Sequence, residues 1–209
     1  MKKMKWIGLS LALIGLGFSA NAQSSMDTRV GIKAGANMFM MGKYEVGNTT
    51  FTSEYRPGFQ AGLFLDLPLS EKLSFIPEVL YTQKGGKITG NLGNNTGEIR
   101  TTVGYIDVPV ILSVNATPNF SVMAGAQASF LTNQETETFA NGTSLATSSD
   151  TDDFRKSIAG GLVGFAYKFN PNLKLDARYN MDFQSIAKDN INQDKARFSG
   201  FSLSLGYSF

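Results

Sequence analysis

The chain has 209 residues, with 19 Lys and Arg against 17 Asp and Glu, and contains neither His nor Cys. Mechanisms that use imidazole as a base are therefore excluded, as are disulfides, thiolate nucleophiles and thiolate metal sites. No basic cluster stands out, so nucleic acid is not an expected partner.

The first segment carries Lys2, Lys3 and Lys5, an apolar run from Trp6 to Phe18, and Ala20-Asn21-Ala22 before Gln23. These are the three regions of a secretory signal peptide, with cleavage expected after Ala22. The apolar run is too short for a spanning helix, which needs about 20 residues. Removing Lys2, Lys3 and Lys5 leaves 16 basic residues against 17 acidic ones. The expected organisation is a signal peptide over 1–22, a short segment over 23–28 and one domain over 29–209.

From Arg29 onward, eight segments alternate large apolar residues with small or polar ones, the period of a strand with two unlike faces. They run near Arg29 to Met41, Pro57 to Leu67, Lys72 to Lys84, Arg100 to Ala116, Phe120 to Thr132, Lys156 to Phe169, Leu173 to Ala187 and Ala196 to Phe209. Connections after the second, fourth and sixth are short and rich in turn formers: Pro68-Leu69-Ser70-Glu71, Thr117-Pro118-Asn119 and Asn170-Pro171-Asn172. The others are longer and polar. In a meander, alternate connections lie at one end, so one end carries tight turns and the other carries loops. This predicts an all-β fold, an eight-stranded antiparallel up-and-down transmembrane β-barrel with short periplasmic turns and longer external loops. No later run is long and apolar enough for a spanning helix, so a membrane crossing requires a closed sheet.

Alternation alone leaves the direction of the apolar face open, and a soluble lipocalin-like barrel is the competing reading. Strands of about a dozen residues, aromatics near strand ends (Phe120, Phe130, Tyr167, Phe169, Tyr207, Phe209) and an outer wall poor in Lys and Glu favour lipid outside. On that reading Phe201, Leu203, Leu205, Tyr207 and Phe209 face outer-membrane lipid and form a C-terminal insertion signal. Their neighbours Gly200, Ser202, Ser204 and Gly206 face inward and leave space for larger side chains opposite.

Two strands carry a resemblance. Phe75-Ile76-Pro77-Glu78-Val79-Leu80-Tyr81-Thr82-Gln83-Lys84-Gly85 and Tyr105-Ile106-Asp107-Val108-Pro109-Val110-Ile111-Leu112, with Arg178-Tyr179 and the terminal Gly206-Tyr207-Ser208-Phe209, resemble the small PorT-like outer-membrane β-barrel proteins of Bacteroidetes. The likeness covers nearly all of Arg29 to Phe209. It implies a barrel of the OmpA/OmpX shape, inserted by the barrel-assembly machinery through its last strand. Pro77 and Pro109 each remove a ladder donor and suggest bulges or local breaks.

An eight-stranded barrel leaves an interior that side chains can fill. The inward parity set includes Lys33, Asn37, Gln60, Asp66, Glu78, Asp107, Lys174, Asp176, Arg178 and Asp182. Isolated charges there would be costly, so the expectation is a salt-bridge network centred on Arg178, with Glu78, Asp107 or Asp176 as partners. It would either plug the lumen or gate a narrow path for ions. Asn133 to Asp153 carries Glu135, Glu137, Asp150, Asp152 and Asp153 without a basic residue and reads as a solvated, mobile loop, since its spacing fits no calcium loop. Gly85-Gly86 and Gly90 to Asn95 read as a flexible tip, with no following helix to make a phosphate cradle.

No catalytic, cofactor or metal residue is assigned. The leading expectation is a non-enzymatic structural or interaction protein acting through its external loops, whose partner the residues do not name. The alternatives are a narrow porin-like channel and, by resemblance, an accessory factor in protein secretion or envelope assembly.

Overall fold

The computed structural model describes residues 27–46, 49–92, 95–149, 154–186 and 196–209. The signal-peptide segment lies outside them. Eleven strands follow in order: β1 (Arg29–Met40), β2 (Lys43–Val46), β3 (Thr49–Thr52), β4 (Glu54–Pro68), β5 (Leu73–Leu92), β6 (Asn95–Asn115), β7 (Phe120–Ala140), β8 (Thr143–Ser148), β9 (Ser157–Lys168), β10 (Leu173–Asp182) and β11 (Ser199–Ser208). Eight of them form an antiparallel ring in the order β1, β4, β5, β6, β7, β9, β10, β11, with β11 pairing back to β1. The strands β2 and β3 make a separate hairpin, and β8 is attached to β7 alone.

Each short turn is tied by the residue type that marks it in the sequence. Ser70 Oγ accepts from the Leu73 amide at 3.1 Å, Thr117 Oγ1 from the Phe120 amide at 3.0 Å, and Asn170 Oδ1 from the Leu173 amide at 2.8 Å. All three side chains bond the amide three residues on, satisfying a donor where the ladder reverses. The turns therefore gather at one end of the ring.

Polarity is inverted relative to a soluble protein. Val30, Ile32, Phe59, Leu63, Val110, Leu112, Val122, Val163, Phe165, Tyr179, Met181, Phe201, Leu203, Leu205, Tyr207 and Phe209 are exposed, while Lys33, Glu78, Lys84, Asp107, Asp176, Arg178 and Asp182 are buried. A lipocalin-like interior would bury the first group, so this arrangement overturns the soluble alternative. Aromatic pairs band the turn end, with ring centroids 6.0 Å apart for Phe120 and Phe165, 5.3 Å for Tyr167 and Phe169, and 5.5 Å for Tyr207 and Phe209.

The interior is not wholly polar. Phe64, Ile76, Ile111, Met123, Leu162 and Ala166 form one apolar cluster, and Phe39, Met41, Val103, Tyr105, Ile158, Ile186, Ala196 and Phe198 form another. Small residues opposite make the room: a Cβ on Gly31 would lie 2.3 Å from the Phe64 ring, and one on Gly200 would lie 2.7 Å from that of Phe39.

Several expectations are corrected. The strands β5, β6 and β7 have 20, 21 and 21 residues against 10 for β10 and β11, so they rise well past the ring's open end. The supposed Gly tip is strand on either side of residues 93–94, which lie outside the described residues. The supposed mobile loop is ordered through Ser148: β7 continues to Ala140, turns at Asn141 and Gly142 with φ of 51° and 80°, and returns as β8. Alternating Thr and Glu after Asn133 is a strand pattern that its acidity masks. Asp150, Asp152 and Asp153 lie outside the described residues. The seventh barrel strand stops at Asp182 and the last begins at Ser199.

The two prolines produce gaps instead of bulges. Pairing between β5 and β6 lapses from Pro77↔Val110 to Leu80↔Asp107 without a register shift. Shifts occur elsewhere, between Tyr55 and Gln60 on β4, at Gly104/Tyr105 of β6 against β7, and at Thr138/Phe139 of β7 against β8. A missing donor deletes one bond, whereas a bulge needs an extra residue on one strand.

Leu203→Arg on the outer face is expected to cost about 2–4 kcal/mol, and Ser204→Ala on the inner face less than about 1 kcal/mol. Denaturant unfolding in bilayers, read by heat-modifiable gel mobility, measures both.

Candidate functional site

Two regions concentrate side chains able to do something: the closed lumen and the sheet that rises above it. In the lumen, Arg178 of β10 donates to both carboxylate oxygens of Glu78 on β5, at 2.8 Å each. Its Nε lies 2.8 Å from Asp176 Oδ1. Lys33 of β1 completes the group, 2.6 Å from Glu78 and 2.8 Å from Asp176. Two cations and two anions thus alternate in a neutral quartet. The two-pronged Arg–carboxylate geometry makes charge-assisted bonds and fixes the orientation of the planar group.

The register explains the meeting. Lys33 stands beside Gly62 and Gly206, and Gly206 stands beside Lys174, so glycines flank the lysine on both neighbouring strands and give its stem space. Glu78 lies opposite Phe64, whose ring is 5.6 Å from the Lys33 ammonium and 4.3 Å from that of Lys174. Lys174 also pairs with Asp66 at 3.6 Å, near the turn end. Cations over aromatic faces gain about 2 kcal/mol when desolvated.

Asp107 is not a partner of Arg178. It belongs to a second group with Lys84 and Asp182, in which the Lys84 ammonium lies 3.7 Å from Asp107 Oδ1 and 3.5 Å from Asp182 Oδ1. Lys84 also donates to Ser129 Oγ at 3.3 Å and lies 5.0 Å and 5.4 Å from the rings of Tyr105 and Phe39. Sequence parity could have found Lys84, since it shares a face with Glu78 and Thr82. Its place beside Gly85-Gly86 made it read as the end of a strand.

The lumen therefore holds charged groups packed against apolar ones. Breaking a charged group by removing one partner would strand the others in a medium that cannot solvate them.

The second region is the rising sheet. On its outside, Lys87 lies 3.2 Å from Glu54 and 4.0 Å from Glu98, Arg100 bonds Glu98, and the Arg100 guanidinium sits 4.5 Å from the Phe139 ring centroid. The hydrogen bond from Arg100 holds the Glu98 carboxyl below the usual carboxylate range, against an opposing desolvation. Individually such exposed pairs contribute little, because water and salt screen them. At the margin of the sheet, β8 bonds β7 from Thr136↔Ser148 to Ala140↔Thr143 and has no neighbour on its other side among the described residues. All six of its residues are exposed.

Residues 21–188 match the model of a family described as an outer membrane protein β-barrel domain. No curated protein sequence matches the chain. Among solved structures, Ail, the attachment invasion locus protein of Yersinia pestis, is 14% identical over 88% of this chain and 100% of its own, with a TM-score of 0.48. Neisserial surface protein A is 18% identical with the same coverages and TM-score. The outer membrane protein OprG of Pseudomonas aeruginosa is 11% identical over 90% of this chain and 99% of its own, with a TM-score of 0.46.

Arg178→Ala is expected to destabilise the barrel by about 3–5 kcal/mol, because Glu78 and Asp176 lose one of the two cations they share and keep only Lys33. Arg178→Lys keeps the charge but not the two-pronged bond and should recover part of that loss in the same unfolding assay. Glu98 contributes to the rising sheet fully above the ordinary carboxylate range, and that contribution is lost as pH falls through its lowered value. Hydrogen exchange at the β6 amides around Ile99 should stay slow until the pH drops below that range.

Proposed function

The chain belongs to the outer membrane protein β-barrel domain family, and on that premise we propose that it is a non-enzymatic surface protein that binds an extended partner segment along the free edge of β8. The observation that carries this reading is the edge itself. Exposed strand edges offer unpaired N–H and C=O groups and are usually blunted by Pro, charge or a covering element. The β8 sequence Thr143-Ser144-Leu145-Ala146-Thr147-Ser148 contains neither Pro nor charge, and Leu145 is 65% exposed. Addition of a strand to such an edge takes affinity from main-chain bonds and specificity from alternate side chains. The chain invests three long strands in holding that edge clear of the ring, where a protein needing only to span a bilayer would stop.

The lumen supports a plug more than a conduit. The quartet at Arg178 and the two apolar clusters together occupy the interior. Export through the signal peptide ending at Ala22, lipid against the wall, and insertion by the barrel-assembly machinery through Phe201, Leu203, Leu205, Tyr207 and Phe209 belong to the same proposal. The strands Phe75 to Gly85 and Tyr105 to Leu112 support the narrower PorT-like assignment within the family.

Ala146→Pro removes a backbone donor of β8 without touching the ring. It is expected to leave insertion and heat-modifiable mobility unchanged and to weaken capture of surface or matrix proteins by displaying cells at least ten-fold. Capture that survives this change and deletion of 143–148 refutes edge binding. In planar bilayers the wild type should show no stable conductance steps; stable steps would put the channel reading first.

A further inference from the structure

Charge in the lumen does not balance. The Arg178 quartet is neutral, and so is the Lys174–Asp66 pair, but among the described residues Lys84 alone pairs with both Asp107 and Asp182. Among the described residues this leaves one excess negative charge in the barrel interior. Asp107 is 4% exposed and Asp182 is 2% exposed, so bulk solvent does not screen it. The aromatic cluster of Phe39, Tyr105 and Phe198 lies on one side and the quartet on the other. An uncompensated buried charge costs several kcal/mol, and a second cation would remove that cost.

A second, independent observation lies at the same level. Asn37 is 3% exposed and Thr82 1%, and neither the Asn37 amide atoms nor Thr82 Oγ1 has a hydrogen-bond partner. Asp182 Oδ2 likewise has no partner of hydrogen-bond geometry, although the Gln127 amide neighbours the Asp182 carboxyl, and the 3.7 Å from Lys84 to Asp107 Oδ1 is too long for a hydrogen bond. Asn37 stands on β1 between the inward residues Lys33 and Phe39, and Thr82 stands on β5 between Glu78 and Lys84. Both therefore point into the layer that separates the quartet from the aromatic cluster. Buried polar groups are nearly always satisfied, so a layer with this many free oxygens calls for a bound species.

We propose that the centre formed by Lys84, Asp107 and Asp182 binds one small monovalent metal cation of the sodium or potassium class, with Asn37 Oδ1 and Thr82 Oγ1 available to its shell. Carboxylate, amide and hydroxyl oxygens are the ligands that hard cations take. Charge selects the valence: one monovalent ion brings the layer to neutrality, whereas a divalent ion would leave an excess positive charge in its place.

The test uses the full-length protein refolded in detergent and melted in sodium chloride or in N-methyl-D-glucamine chloride at equal ionic strength. Binding to the native state alone raises the midpoint with the logarithm of sodium concentration, so the wild type should melt higher in sodium and climb with each ten-fold increase. Asp182→Asn removes the excess charge and should abolish the dependence, while Glu137→Gln on the rising sheet should leave it intact. Should Asp182→Asn fail to refold, Asp107→Asn carries the same expectation, and rubidium-soaked crystals should show anomalous density within the barrel. Equal melting of the wild type in both salts, the outcome if a proton neutralises the centre instead, would overturn the proposal. So would a sodium dependence that persists in the Asp variants, or rubidium density confined to the exterior.

Discussion

Closure of the ladder is the constraint on which the rest depends. Within hydrocarbon no water is available to bond a free amide or carbonyl, so a sheet can sit there only if its first and last strands find each other. Here β1 and β11 meet over ten paired positions, from Gly31↔Ser208 to Met40↔Ser199. Once they do, alternation assigns every side chain to lipid or lumen, and a slip of one residue would exchange the two sets. Leu203 and Leu205 in the lumen, with Ser202 and Ser204 in lipid, would be intolerable together. The same closure confines the charged residues and forces them into pairs.

The lumen shows how that confinement is resolved. A guanidinium bonded to two carboxylates and a nearby ammonium satisfies most of its neighbours' valences, and glycines on adjacent strands give the long side chains room to lie flat. Replacing the whole quartet with packed apolar residues could give a barrel of similar stability, since desolvation offsets much of the attraction between buried ions. Removing one member could not. The quartet is thus better understood as a set of mutually dependent parts than as a source of stability.

Much of the architecture was legible in the residues. Alternation found all eight barrel strands, and Ser70, Thr117 and Asn170 marked the tight turns because each supplies an oxygen at the right offset. Inward parity also found most of the lumenal charges and two partners of Arg178, Glu78 and Asp176, but not Lys84, which takes Asp107. Parity fixes a face and says little of height, and Asp107 and Arg178 lie on strands whose relative stagger only the pairing reveals. The upper ends of β5 to β7 were obscured for a different reason. Outside lipid, a strand need not alternate greasy and polar residues, so Asn133 to Ala140 carries the composition of a loop while its backbone bonds to β6 from Gly97 to Gly104. Pro109 misled in the same way, since its missing donor falls within a ladder whose register holds on both sides.

The unequal heights of the strands give the molecule a front and a back. Four of the ring's strands, β1, β9, β10 and β11, end low, while β5, β6 and β7 continue upward as a wall on one side, with β8 taking the place beside β7 that β9 holds lower down. A body descending from directly above meets the wall's crest. One approaching sideways, over the low rim, meets the open margin of β8. Rotation of the barrel about the membrane normal therefore decides whether that margin is available, so crowding by neighbouring membrane proteins would regulate access without altering any bond within the chain.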